Sequence, residues 1–310
     1  MKFKQFFQYS FSILFLFGSH VICSQETNLR SEFDFSQIDF TNDTSVALTG
    51  EWEFYWDTLL EPDGSSLNYS LEYLPDFWKN YGVNEYSATG YATFKTRVKL
   101  SRARPILAFQ VGDIHNSYNL YVNDKLVRSV GIVTKSIEGS VPKWVPQFVV
   151  LDDTSEILEI TLQVSNFHHR NGGVQHAIVL GNVDYLLSVK ESVSLADLLL
   201  GGSCMVIGLF FFGMYFFYQK DKSTIYFGLF CFSFAVRVLI VGSRSLLIIM
   251  PWLSWQIALR IEYLTLFLSV IFFLYFVYFS FKEQISRLLV QLISFIYLLI
   301  ITGTILLPAS

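Results

Sequence analysis

The sequence predicts two unlike halves: an all-β jelly-roll sandwich, followed by an α-helical transmembrane domain. In the first half, short runs alternate apolar and polar residues and are separated by turn residues, which is the pattern of β-strands. The second half contains four long apolar runs with few charges, which is typical of helices that cross a bilayer. Charge follows the same division, since residues 24–195 carry 13 basic and 22 acidic side chains, whereas residues 196–310 carry 7 and 4.

Residues 1–23 have the composition of a secretory signal peptide. Lys2 and Lys4 precede the apolar run FFQYSFSILFLF, and the weaker stretch SHVICSQ follows, which is the order of a signal peptide. We expect cleavage after Cys23 and export of the residues that follow. The alternatives are a lipoprotein modified at Cys23, for which Ile22 is bulky, and a retained signal anchor, for which the apolar run is short.

Residues 40–185 are expected to form the sandwich, outside the membrane. In GEWEFYW, the side chains of Trp52, Phe54 and Trp56 share one face of a strand, and large aromatic residues of this kind are expected in the core. Similar alternation recurs in YATFKTRVKL, PILAFQVG, SYNLYVND, KLVRSVG, LEITLQVS and HAIVLG. The tripeptide NDK at residues 123–125 indicates a tight hairpin turn, and RNGG at 170–173 a looser one. Many short strands without intervening helices indicate a sandwich or barrel.

The second half is predicted to cross the membrane four times, at residues 198–218, 224–242, 257–281 and 288–307. Each run has the roughly 20 residues that a helix needs to span the hydrocarbon. The loops after the first and third runs carry the cations Lys220, Lys222, Lys282 and Arg287, and the positive-inside rule places them in the cytoplasm. The predicted location is therefore the inner (cytoplasmic) membrane, with the sandwich extracytoplasmic or periplasmic.

Residues 186–197, the linker LSVKESVSLAD with its flanking Leu186, contain neither Pro nor Gly. We expect them to continue the first helix outward and to pass a change in the sandwich to the membrane.

Three ionisable residues fall within the predicted spans: Arg237, Arg260 and Glu262. An isolated charge within the bilayer is costly, so partners are expected. An ion pair between Arg237 and Glu262 is our hypothesis. The alternative is that all three side chains extend to the outer headgroups.

The segments LTGEWEFYW, GYATFKTRVKL, ILAFQVGDIHNSYNLYVNDKLVRSVG and LEITLQVSNFHHRNGG resemble the galactose-binding-like jelly roll at the front of many glycoside hydrolases. Followed by membrane helices, this arrangement is similar to bacterial seven-transmembrane receptors with diverse intracellular signalling modules. RVL at residues 237–239 and WQIALRIEYL at residues 255–264 also resemble that family. Its members have seven helices followed by a cyclase, histidine kinase or phosphatase. Because this sequence has four, we expect the truncated front of such a receptor and assign it no catalytic output.

The stretch VSNFHHRNGG, residues 164–173, concentrates polar side chains between two strands. Adjacent residues of an extended segment point in opposite directions, so the two histidines are badly placed to share a metal ion, and no metal site is predicted. Loops at the ends of sandwich strands commonly contact ligands. The predicted ligand-binding residues are His115, Asn116, Trp144, Asn166, Phe167, His168, His169 and Arg170.

Several function classes are disfavoured. The acidic first half lacks the basic patch that nucleic acid needs. No G-x-S-x-G elbow occurs, and the acidic residues lie in or near turns, so we expect no enzymatic activity and no cofactor.

The sequence therefore favours a membrane receptor or sensor that binds a small ligand, for which carbohydrate is a candidate class. Its other candidate partners are the lipid bilayer and a second copy of the chain. The alternatives are a membrane-anchored carbohydrate-binding module without signalling and the truncated front half of a receptor-type nucleotide cyclase or histidine kinase. A transporter is disfavoured because the helices lack paired Gly and Pro interruptions.

Overall fold

A β-sandwich continues directly into membrane-length helices in the computed structural model of the chain. The structure describes residues 31–61, 64, 68–82, 86–112, 114, 116–143, 146–219, 221–250, 252–253 and 255–306. The predicted signal peptide, residues 1–23, lies outside the described residues. The predicted fold class is confirmed: strands occupy the first half and long helices the second.

The strands are short and follow one another with no α-helix between them in the described residues. In chain order they are β1 (Glu32–Phe35), β2 (Ser45–Ala47), β3 (Gly50–Trp56), β4 (Ser70–Leu74), β5 (Asp76–Phe77), β6 (Gly90–Leu100), β7 (Leu107–Val111), β8 (Ser117–Val122), β9 (Lys125–Val130), β10 (Gln147–Val150), β11 (Ile157–Asn166), β12 (Gly173–Val174) and β13 (Val179–Asn182). A 3₁₀ turn, Trp78–Asn80, follows β5.

Two main sheets form the sandwich. The larger has the order β4-β3-β6-β11-β8-β9, and the smaller has the order β10-β7-β13-β2, while β5 and β12 pair separately. β1 pairs in parallel with the last part of β6, beyond the residues that pair with β3. It lies before residue 40, where we expected the sandwich to begin. The prediction missed β1 because EFDF is short and its partner strand lies far along the chain.

The core lies between the two sheets. Trp52, Phe94 and Leu162 from the larger sheet, and Phe109 and Leu180 from the smaller, are fully buried. Removing such apolar surface from water is the main favourable contribution to folding. The expectation that the large aromatic residues of β3 belong to the core is confirmed for Trp52 and Phe54.

The hairpin between β8 and β9 turns at Asn123 and Asp124. Both residues have positive φ, 46° and 65°, as a type I′ turn requires. The tight turn predicted at residues 123–125 is therefore confirmed.

Four long helices and one short helix make up the described residues of the second half. They are α1 (Val183–Met214), which continues as a π-helical turn at Tyr215–Gln219, α2 (Lys222–Val241), α3 (Ser245–Ile249), α4 (Trp255–Ser280) and α5 (Arg287–Leu306). The four long helices are long and apolar enough to cross a membrane, so the chain is a multi-pass membrane protein. With the π-helical turn included in α1, every helix end except the start of α1 lies within two residues of the predicted spans.

The predicted linker, residues 186–197, is part of α1. Asn182 caps this helix, because its side-chain oxygen accepts a hydrogen bond from the Asp184 amide at 2.9 Å. The amide of Val183 donates to the Ile106 oxygen at 3.2 Å. Strand β13 therefore passes into α1 with no intervening loop.

Glycines bring α1 and α2 together. A Cβ atom at Gly208 would lie 2.8 Å from Cδ2 of Phe232 and 3.2 Å from the main-chain oxygen of Gly228. Gly201, seven residues earlier, is buried like Gly208 and faces Leu239 of α2. Small residues of this kind allow close approach of helices in a membrane.

Hydroxyl groups join α2 to α4. Ser233 donates to the main-chain oxygen of Thr265 at 2.9 Å, and its Oγ lies 3.1 Å from Oγ of Ser269, which donates to the same main-chain oxygen at 2.6 Å. Such interhelical hydrogen bonds contribute about 0.6 kcal/mol each on average in membrane bundles.

We expect Gly208→Leu to lower the thermal unfolding midpoint of the detergent-solubilised chain, because the new side chain would overlap Phe232. Overpacking of this kind costs about 1–3 kcal/mol. Gly213→Leu on the same helix is the matched control, because a Cβ there has no atom within 4 Å. Equal midpoints for the two variants would contradict the α1–α2 contact.

Candidate functional site

The loop after β11 lies at the end of the sandwich remote from α1. β11 begins at Ile157, opposite Lys99, and ends at Asn166, opposite Gly90. The amide of Leu100, next to Lys99, donates a hydrogen bond to the main-chain oxygen of Glu156. Residues 100 and 156 therefore lie at the same end of the sandwich, opposite the end where Asn166 lies.

Arg104 identifies that end as the one that adjoins α1. Its guanidinium donates to the main-chain oxygens of Ser101, Asp153 and Ser155 at 2.9, 3.2 and 2.7 Å. Nearby, the main-chain oxygen of Ile106 accepts a hydrogen bond from the amide of Val183, the first residue of α1. Hydrogen bonds from Ser155 and Asn123 hold the pKa of the Asp153 carboxyl below its ordinary value. The predicted ligand loop is therefore at the far end, and in the predicted orientation it faces away from the membrane.

Asn166 holds this loop in shape. Its amide nitrogen donates to the oxygens of Ala88 and His169 at 2.8 and 2.6 Å, and its oxygen accepts from the amides of His168 and His169 at 3.3 and 2.9 Å. The residue is buried. Asn166, predicted as a ligand contact, is in this structure a support beneath the loop.

Both histidine rings interact with main chain. Nε2 of His168 lies 3.0 Å from the oxygen of Ser140, and Nδ1 of His169 lies 2.9 Å from the oxygen of Asn171. Both side chains are half-buried. Among the described residues, no three metal-ligating side chains form a group that could hold an ion.

Asn116 lies behind the loop. It is fully buried, and its amide nitrogen donates to the oxygen of Gly173 at 3.1 Å. Its side-chain oxygen has no hydrogen-bond partner among the described residues. His115 and Trp144, the other two predicted contacts, lie outside the described residues.

The floor of the loop is aromatic. Trp78 is fully buried and donates Nε1–H to the oxygen of Ala88 at 3.2 Å, and its ring meets Trp56 edge to face at 5.1 Å. A Cβ at Gly172 would overlap the Trp78 indole, so only glycine allows the loop to lie this close.

The surface of the loop offers a cation and an aromatic side chain. Arg170 is exposed, and Phe167 is half-exposed. Lys79, which the sequence did not single out, donates to Asn171 Oδ1 at 2.6 Å and lies 5.4 Å from the Phe77 ring centroid. Lys79 and Asn171 are 92 residues apart in the chain, so no local pattern could have brought them together.

Tyr81 stabilises the same region from below. Burial raises the pKa of its phenol well above the ordinary value, and the nearby Asp76 and Glu72 carboxylates raise it further. The neutral hydroxyl donates to the main-chain oxygen of Asp76 at 3.1 Å, which holds the segment that carries Lys79.

The predicted intramembrane residues are partly brought together. Nη1 of Arg237 in α2 donates to the main-chain oxygen of Glu262 in α4 at 2.9 Å. The expected ion pair is therefore replaced by a hydrogen bond to main chain, because the guanidinium meets the backbone of the first turns of α4. Arg260 is exposed.

We expect Asn166→Ala to lower the free energy of unfolding by about 2–4 kcal/mol, because several buried groups would lose their partners. Chemical denaturation of the full chain in detergent, followed by tryptophan fluorescence, measures this loss. Arg170→Ala is the control, since an exposed substitution usually changes stability by less than about 0.5 kcal/mol. An equal loss in both variants would show that Asn166 has no special supporting role.

Known solved structures that resemble the sandwich include glycoside hydrolases. A β-glucuronidase from Faecalibacterium prausnitzii is 12% identical over 44% of this chain and 31% of its own, with a TM-score of 0.36. A GH2 β-galacturonidase from Eisenbergiella tayi is 17% identical over 44% and 24%, with a TM-score of 0.32. A β-glucuronidase from Ruminococcus gnavus is 11% identical over 44% and 28%, with a TM-score of 0.34. The chain spans less than a third of the length of these enzymes, and likenesses at this level carry no conclusion about its ligand.

The helical half matches a protein-family model, although no curated protein matches the chain. Residues 194–310 match the family model described as 7TM diverse intracellular signalling. The family resemblance predicted from the sequence is thus confirmed for the membrane half of the chain.

Proposed function

We propose that this chain is the sensor part of a membrane receptor. On the outer side of the inner membrane, the sandwich binds a small ligand through the loops remote from α1. Helix α1 then transmits the resulting conformational change to the other membrane helices. The family match of residues 194–310 supports a role in signalling, and a carbohydrate is the first ligand class to test.

The continuity of α1 carries the proposal. The helix begins at Val183, at the end of strand β13, and runs without interruption to Met214. The Asn182 side chain donates to the oxygen of Phe40 at 3.1 Å in addition to capping the helix. A shift or rotation of the sandwich would therefore be transmitted to the membrane part of the same helix, with no flexible segment to absorb it.

Asp197 connects α1 to the turn between α2 and α3. Its Oδ2 accepts a hydrogen bond from the Ser243 amide at 2.5 Å, and a Cβ at Gly242 would overlap this carboxylate. The carboxylate of α1 thus satisfies a main-chain amide in the turn that joins α2 to α3. Movement of α1 would reach α2 and α3 through this contact.

The far-end loops supply suitable ligand contacts. Arg170 offers hydrogen-bond donors in a planar array, and Phe167 offers an aromatic face against which a sugar ring could pack. Asn166, Trp78 and Tyr81 hold these groups on a rigid base, which keeps the entropic cost of binding low. The role proposed for the sandwich is binding without catalysis.

The direct test is titration of the full chain in lipid nanodiscs with neutral and acidic mono- and disaccharides, followed by calorimetry. Arg170→Ala and Phe167→Ala should each weaken the binding of a responding sugar by about tenfold, or about 1.4 kcal/mol. Arg102→Ala, an exposed arginine at the α1 end of the sandwich, should leave the affinity unchanged. Equal weakening by all three variants would remove the far-end loops as the ligand site.

The transmission path has a separate test. Asp197→Ala should increase the rate of hydrogen exchange at the Ser243 amide roughly tenfold, since loss of one hydrogen bond to a charged acceptor costs about 1.5 kcal/mol or more. Glu191→Ala removes an exposed acid from the same helix and should leave that rate unchanged. Unchanged exchange in Asp197→Ala would exclude this contact from the path.

A further inference from the structure

The first fifteen residues of α1 project from the sandwich before the predicted membrane span begins at residue 198. At 1.5 Å per residue this projection is about 22 Å long. Leu186, near its start, is buried, and the Lys190 ammonium lies 5.9 Å from the ring centroid of Phe148. Beyond Lys190 the projecting helix is exposed, at Glu191, Ser192, Val193, Leu195 and Ala196.

An exposed helix of this length needs a packing partner. Most helical stability in proteins comes from packing of an apolar face. Val193 and Leu195 are 51% and 60% exposed. The sandwich thus holds the start of the projection and leaves its later turns uncovered.

One face of the projection has the spacing of a two-stranded coiled coil. Val189, Val193, Ala196 and Leu200 follow one another at intervals of four, three and four residues, which places them on one narrow stripe. We call these four residues the α1 stripe. Glu191 lies on the other side of the helix, about 160° from Val193.

The stripe is distinct from the face that meets α2. Gly201 and Gly208 contact side chains of α2, and they are about 100° and 80° around the helix from Leu200. Val193 and Leu200 remain 51% and 48% exposed, so the described helices leave this part of the stripe uncovered.

We propose that a second copy of this chain packs its own α1 against the α1 stripe, in parallel and in register. Both copies enter the same membrane at the same residue, which holds equivalent residues at equal height. A self-complementary stripe then meets itself, Val193 against Val193 of the second copy. The α1 stripe alternates large and small side chains, with Ala196 between Val193 and Leu200, and this alternation favours close packing of two helices.

The same spacing continues into the membrane segment at Ser203, Ile207 and Phe210. Ile207 and Phe210 are 42% and 62% exposed, and Ser203 provides the next small residue. The contact between the two helices can therefore continue from the projecting part of α1 into the bilayer along the same face of the helix.

In this dimer, ligand binding to the proposed receptor could change the position of one α1 relative to the other, and this relative movement of the two helices would be the signal. That consequence rests on the proposed function, whereas the dimer itself rests on the stripe and the shared membrane. The two are separable by experiment.

Disulfide cross-linking of the full chain in membrane vesicles tests the dimer. In a background with the three native cysteines replaced by serine, single cysteines are placed by Val193→Cys and Ala196→Cys on the stripe. Leu195→Cys is the matched control, on the same turn but about 160° from Val193. Mild oxidation should give at least about fivefold more cross-linked dimer at the two stripe positions than at the control.

Equal cross-linking at Leu195→Cys and Val193→Cys would indicate random collision and overturn the proposal, as would no cross-linking at either stripe position. A sugar titration of the same membranes gives an independent reading. Stripe-specific cross-linking without sugar binding would keep the dimer and remove the carbohydrate receptor, whereas sugar binding without cross-linking would do the reverse.

Discussion

The junction between β13 and α1 is the interaction on which the arrangement of this molecule depends. The last strand of the smaller sheet ends at Asn182, and this residue both caps the helix and bonds to Phe40 within the sandwich. The amide of Val183 donates back to the main-chain oxygen of Ile106, the residue before β7. Because the first helical amides are satisfied by the sandwich itself, the helix starts inside the folded domain, where its direction is set by the sheet.

The far-end loops show how a polar cluster divides between support and contact. Main-chain groups in a turn must find hydrogen-bond partners, and Asn and His side chains nearby are the available ones. Asn166 is therefore occupied by four main-chain bonds and Asn116 is buried behind it. Arg170 is exposed and Phe167 is half-exposed, so the same short stretch contains both the frame and the groups that the frame presents.

The helical half relies on different forces. In a bilayer the hydrophobic effect does not drive helices together, because lipid tails are as apolar as the helix surfaces. The helices are held instead by close approach at Gly208 and Gly228 and by hydrogen bonds among Ser233, Thr265 and Ser269. Arg237 reaches a main-chain oxygen of the neighbouring helix, which satisfies a donor of the guanidinium where water is scarce.

The sequence by itself determined the division into strands and membrane helices, because periods of two residues and runs of about 20 apolar residues are local properties. It also predicted the hairpin at Asn123, since positive φ at consecutive residues favours Asn and Asp. It identified the stretch from Asn166 to Arg170 as a candidate site. Only the tertiary structure decided which of these residues support the loop and which face outward.

Tertiary structure likewise decided the pairing of β1 with β6, the contact of Lys79 with Asn171, and the hydrogen bond that replaces the Arg237–Glu262 ion pair. Each joins segments far apart in the chain. Their geometry follows from how the sheets and helices pack, and one-dimensional patterns do not record it.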